Sequence, residues 1–239
     1  MSGASRRRRR RARDTELTTP LPLSPDALAD RLAALLAAVP PEPGAAALRV
    51  AVDGPELPGS PGVTGPRVLA GALAERLPTL SRPAAVVPAE GFYRPASLRL
   101  EHGRTDPDAR YSDWLDSGAL AREVLDRCGP GGPGEYLPAL WDLERDRAAR
   151  LPHRPAPGGG VLLVPGSLLQ GLGLAFDVVV HLRLSPAARR RRAPADRAWE
   201  LPAFDRYDDE VDPVSLADAV VLADHADRPA LVLQGRWSA

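Results

Sequence analysis

The sequence predicts an α/β protein, a three-layer sandwich built on a mainly parallel sheet. Short apolar runs recur at residues 48–52, 84–87, 160–164, 178–184, 219–222 and 230–233, and helical patterns lie between them. Each run is apolar throughout rather than alternating, which is the pattern of strands buried on both faces. A sheet buried on both faces needs helices on both sides. In such folds ligands are expected at the carboxyl ends of the strands.

Taken in order, residues 1–23 are arginine-rich and then rich in Thr, Pro and Leu, without period, and read as a disordered tail. Ser24-Pro25-Asp26 supplies an N-cap, a first-turn proline and an early acid. Leu28, Leu32, Leu35, Leu36 and Val39 follow at helical spacing, and Pro40-Pro41 ends the helix, giving a helix over 24–40. After the first strand, residues 67–77 form the next helix. Ser117 caps a helix through Leu120, Val124 and Leu125 that stops before the glycine-rich stretch 129–134. Ser185-Pro186 opens another helix after the fourth strand, and residues 24–239 together make a single domain.

Composition narrows the function. The chain has 239 residues, and all 31 of its Lys+Arg residues are arginine. Every mechanism that requires a lysine is excluded. The 31 acidic residues bring the formal charge to zero, so no global field recruits nucleic acid or an anionic membrane. Cys128 is the single cysteine, which rules out an intrachain disulfide or a cysteine zinc site and fits a reducing cytoplasm. No run approaches the roughly 20 apolar residues of a membrane span. His102, His153, His181 and His225 show no paired metal spacing, so no metal ligand set is assigned. The acidic stretch from Asp205 to Asp212 lacks the glycine and terminal glutamate of a calcium loop, and reads as a solvated acidic segment partnering the arginines at 189–192.

The strand ending in Val52-Asp53-Gly54 runs through a glycine-rich loop into a helix, where a phosphate-binding loop would sit. Gly54 and Gly59 meet the glycine spacing, but Ser60 and Pro61 follow where Lys and Ser/Thr belong. In a second register Gly65 is the last glycine, with Pro66 and Arg67 at those two positions. Such a loop holds phosphate through successive backbone N–H groups, and Pro55, Pro58, Pro61 and Pro66 each lack one. Gly59, Gly62, Thr64, Gly65 and Arg67 remain the candidate nucleotide-side residues. Thr64 offers a hydroxyl for Mg²⁺, and Arg67 a charge near phosphate.

Further landmarks are Glu90-Gly91-Phe92-Tyr93-Arg94-Pro95, Arg99 to Pro107, Trp114-Leu115-Asp116-Ser117, Leu125 to Tyr136, Trp141-Asp142-Leu143, Val161 to Gly166, and Arg189 to Arg192. In this order and spacing, from about residue 49 to 225, the chain resembles the bacterial, actinobacterial-type uridine kinase-like proteins of the P-loop kinase superfamily. The resemblance implies a P-loop kinase-like domain with a lid at about 185–212, and ATP and Mg²⁺ as cofactors. It puts Glu90 at the position of the base for the nucleoside 5′-hydroxyl, and Phe92, Tyr93 and Arg94 on the substrate side. Arg190, within the lid arginines, falls on the phosphates. Where the family's later strand ends in a metal-orienting aspartate this chain has Pro165, leaving Asp53 or Glu90 to serve the metal.

With the lysine and that aspartate both missing, the sequence points to a uridine kinase-like protein. Its kinship is with ATP-dependent nucleoside 5′-phosphotransferases, but it is catalytically impaired or a pseudokinase binding a nucleoside or nucleotide. One alternative is an active uridine or cytidine kinase in which Arg67 replaces the lysine. Another is a non-enzymatic interaction protein using the Arg6 to Arg11 tail on nucleic acid, against which stands the reading of that tail as solvated.

Overall fold

The computed structural model describes residues 19–56 and 65–237. Its seven-stranded sheet is built from β1 (Leu21–Pro22), β2 (Leu48–Asp53), β3 (Ala84–Val86), β4 (Val161–Gly166), β5 (Val178–Arg183), β6 (Ala219–Leu222) and β7 (Ala230–Leu233). The spatial order is β1-β7-β6-β5-β2-β4-β3. The five strands from β3 to β6 in that order run parallel, while β7 and β1 close the far edge in antiparallel fashion. All six strand positions expected from the apolar runs are occupied by strands.

The eleven-residue helix α2 (Pro66–Arg76) and the fourteen-residue α1 (Pro25–Ala38) cover one face of the sheet. Ser24 caps α1 by accepting the Ala27 N–H at 3.2 Å, and Leu28, Leu32 and Leu36 are fully buried against Val50, Val52, Leu69 and Leu73. Each such leucine contributes roughly 1.5–3 kcal/mol of transfer free energy. The alternate strand residues Ala51, Leu162 and Val164 point the other way, onto Phe92, Leu120, Val124 and Leu125. Two apolar layers on one sheet are the physical content of the three-layer sandwich.

The remaining longer helices are α3 (Pro107–Ser112), α4 (Pro186–Arg192) and α5 (Leu201–Val211). Ser185 caps α4 as its sequence position predicts, accepting the Ala188 N–H at 3.2 Å. Two antiparallel pairs lie outside the sheet, Glu135–Tyr136 with Arg154–Pro155 and Trp141–Asp142 with Arg147–Ala148.

One boundary differs from expectation. Leu21 and Pro22, read as tail, pair with Leu231 and Ala230, and the Leu23 N–H donates to the Pro229 carbonyl at 2.9 Å. An open sheet edge offers unpaired backbone groups, and an edge is where a strand proline is tolerated. Residues 1–18, and with them Arg6 to Arg11, lie outside the described residues. No described helix is long and apolar enough to cross a membrane.

Candidate functional site

The carboxyl ends of β2, β4 and β5 converge, with Asp53 opposite both Gly166 and His181. Asp53 is fully buried. Its Oδ1 accepts the Leu169 N–H at 3.1 Å, and its Oδ2 accepts from Gln170 Nε2 at 3.0 Å, His181 Nδ1 at 2.9 Å and the Tyr207 hydroxyl at 2.9 Å. Burial pushes this carboxyl up, but the bonds and charge from His181, with those from Gln170 and Leu169, outweigh it and hold it below its ordinary value. Burial and the Asp53 charge push the Tyr207 phenol well up, so it stays a donor. With both oxygens engaged inside the protein, Asp53 does not fit the metal role that the sequence left open for it.

Beside this cluster α2 begins. Pro66 has no N–H, so Arg67 presents the first free donor of the helix, and it donates to Glu56 Oε2 at 3.1 Å. The carboxylate comes so close that a Cβ at Gly65 would stand 2.6 Å from Glu56 Oε1, so a side chain there would push the carboxylate aside. The Arg67 guanidinium bonds Glu90 Oε1 at 2.6 Å, with both side chains still partly open to solvent. Burial pushes the Glu56 carboxyl up, the Arg67 N–H and charge pull it back, and the neighbouring Glu90 pushes it up again. Two carboxylates thus share one arginine.

Glu90 sits in the short turn Ala89–Phe92 after β3. Its neighbour Gly91 leaves no room for a second carboxylate, since a Cβ there would lie 2.8 Å from that of Ala139. Tyr93 and Trp114 meet edge to face, ring centroids 5.7 Å apart, and Trp199 packs on Trp114 at the same distance. The Arg110 guanidinium lies over Trp114 at 4.9 Å and Tyr93 at 5.6 Å, and Arg99 lies 5.1 Å from Trp114. Glu200, almost fully buried, ties this wall together by accepting Arg110 Nε at 3.1 Å and two bonds from Arg197 at 2.5 and 2.9 Å.

These groups enclose a cavity of about 70 Å³, with Tyr93, Trp114, Arg110 and Arg197 on one side and Glu56, Arg67 and Glu90 on the other. Pro165, Gly166 and Ser167 at the end of β4 form its floor. The Ser167 hydroxyl is committed to the Gly54 carbonyl at 2.7 Å.

Of the residues singled out from sequence, Arg67, Glu90 and Tyr93 come together here, with Gly65 at the start of α2. Phe92 is fully buried in the core under the sheet and offers no face to a ligand. Arg94 and Arg190 do not line the cavity, and Arg190 is two-thirds exposed, 4.0 Å from Asp205. Its neighbour Arg189 is buried instead, bridging Asp205 and Asp208 at 2.7 Å each, so α4 and the acidic stretch are partners as expected. Gly59, Gly62 and Thr64 lie outside the described residues. Among the described residues no group of three His, Cys, Asp or Glu side chains could hold a metal ion.

No protein-family model matches the chain, and no curated protein matches it. Among solved structures it is similar to one described as a possible uridine kinase from Bacillus stearothermophilus, with 18% identity and a TM-score of 0.61. That match covers 80% of this chain and 96% of the other. The fold is P-loop kinase-like. A putative fructose transport system kinase from Silicibacter sp. TM1040 also aligns, at 22% identity over 77% of this chain and 88% of that one, with a TM-score of 0.49.

Against that fold the missed residues stand out. Glu56 lies ten positions before Pro66, too far in sequence for a helix-start carboxylate pattern to mark it. Arg110 and Glu200, 90 positions apart, left no local signal at all.

Proposed function

We propose that this protein is a uridine kinase-like nucleoside-binding protein that does not transfer phosphate. The observation that carries the reading is the pairing of an aromatic, hydrogen-bonding acceptor pocket with a phosphate side whose positive groups are already bonded to the protein's own carboxylates. Tyr93 and Trp114, set edge to face, bring aromatic surface to the cavity for a base to contact, and Glu90 brings an acceptor for a sugar hydroxyl.

A kinase of this fold takes its phosphoryl group from ATP with Mg²⁺. The described residues do not fit that pair: Arg67 is tied to Glu90 and Glu56, Pro165 replaces a carboxylate, and Asp53 is buried and saturated. Losing a donor aimed at the transferring group costs on the order of 10²-fold or more for each strong one. Calorimetric titration with uridine and with ATP plus Mg²⁺ tests the reading. Binding of uridine without binding of ATP supports it, and absence of uridine binding overturns it.

A second reading, an active uridine or cytidine kinase with Arg67 in the lysine's role, draws on one observation. Arg67 stands in the first turn of α2 within 2.6 Å of Glu90. It requires ATP binding and turnover that fall together in Arg67→Ala.

A further inference from the structure

We propose that Glu56 is a tethered anion standing where a ligand phosphate would sit, so that the pocket takes an uncharged nucleoside and rejects its 5′-phosphate. This rests on the nucleoside-binding reading above and sharpens it.

The start of α2 would ordinarily attract an anion, because its first N–H groups are unpaired and carry the positive end of the helix dipole. In this chain Pro66 removes one of those donors, and the next, from Arg67, already holds Glu56. Gly65 leaves room for the approach, since a Cβ there would stand 2.6 Å from Glu56 Oε1 and displace the carboxylate. The arginine that could receive a phosphate is bonded to Glu90, and across the cavity Arg197 and Arg110 both spend their charge on Glu200.

Every guanidinium facing the cavity from Arg67, Arg110 and Arg197 therefore has a carboxylate partner, and two carboxylates flank Arg67 alone. A ligand dianion entering on that side meets like charge in a partly desolvated space, where Coulomb terms are several-fold larger than in water. A neutral nucleoside meets only hydrogen-bonding groups and aromatic faces. The result is a selection set by charge and independent of which base is bound.

The test is calorimetric titration of the full chain with uridine, uridine 5′-phosphate and inorganic phosphate, for wild type, Glu56→Gln and Glu56→Ala. Thermal melts establish that each variant is folded. Wild type is expected to bind uridine about tenfold or more tighter than uridine 5′-phosphate and to ignore inorganic phosphate. In both variants the ratio of the two uridine affinities is the readout: the preference against the phosphorylated ligand is expected to narrow or reverse, and weak binding of inorganic phosphate to appear. Equal wild-type affinity for the two uridine ligands, or an unchanged ratio in both variants, overturns the proposal. If wild type binds neither uridine ligand, the nucleoside reading falls. Inorganic phosphate then decides the role of Glu56 alone: binding gained in the variants upholds it, and no gain overturns it.

Discussion

The phenol of Tyr207 donates to Oδ2 of Asp53 at 2.9 Å, joining α5 to the end of the central strand across 154 positions of sequence. The same hydroxyl accepts the Gln170 N–H at 2.8 Å. Tyr207→Phe removes both bonds and leaves a buried N–H without its acceptor. We expect a loss of about 1–3 kcal/mol in urea unfolding. Asp53→Ala, which strands four donors, should cost about 3–5 kcal/mol. Equal stability of either variant with wild type would show that the cluster does not hold α5.

The same carboxylate sets a pH dependence. The pKa of Asp53 is lower in the folded protein than its ordinary 3.8, so the folded state gains from its ionised form above that value. That stability is fully present above pH 3.8 and is lost as pH falls below it through the folded value. Denaturation measured across this range should show a steeper acid loss for wild type than for Asp53→Asn.

At the opposite end of β2, Arg49 and Asp177 form a buried pair. The guanidinium bonds the carboxylate at 2.5 and 3.0 Å, and the Arg49 N–H adds a third bond at 2.8 Å. Asp177→Ala leaves the buried guanidinium only the exposed Glu42 carboxylate at 3.0 Å, so it should destabilise toward the lower end of about 3–5 kcal/mol. This pair does not line the cavity, and uridine affinity measured on the folded fraction should not change.

Cys128 is fully buried, and burial pushes its thiol up to about 11. Thiolate is the reactive form, so a disulfide reagent at pH 8 should leave the native protein unmodified and label it in urea. Prompt native labelling would contradict the packing of the 117–128 helical segment.

The sheet was legible because its inner strands are unbroken apolar runs, a pattern that needs no knowledge of partners. The edge pairing of Leu21 was hidden by its neighbours' polarity and by Pro22, and the two-residue strands at 135–155 are too short to show a period. Within the site, Arg67 was visible from the register of the glycine-rich loop and the helix after it, while Glu90 and Tyr93 were marked only by the resemblance to uridine kinase-like proteins. Phe92 was not separable from them, since alternation within one short turn decides which of Phe92 and Tyr93 faces inward. Bonds such as Arg110–Glu200 and Tyr207–Asp53 depend on chain closure over about 90 residues or more, which no local pattern records.

The most direct test is formation of uridine 5′-phosphate by the full chain supplied with uridine, ATP and Mg²⁺, at uridine concentrations shown to occupy the pocket. We predict no product above the protein-free rate while uridine remains bound. Turnover in the range of about 1–100 s⁻¹ ordinary for kinases, abolished in Glu90→Gln, would contradict it and establish an active enzyme.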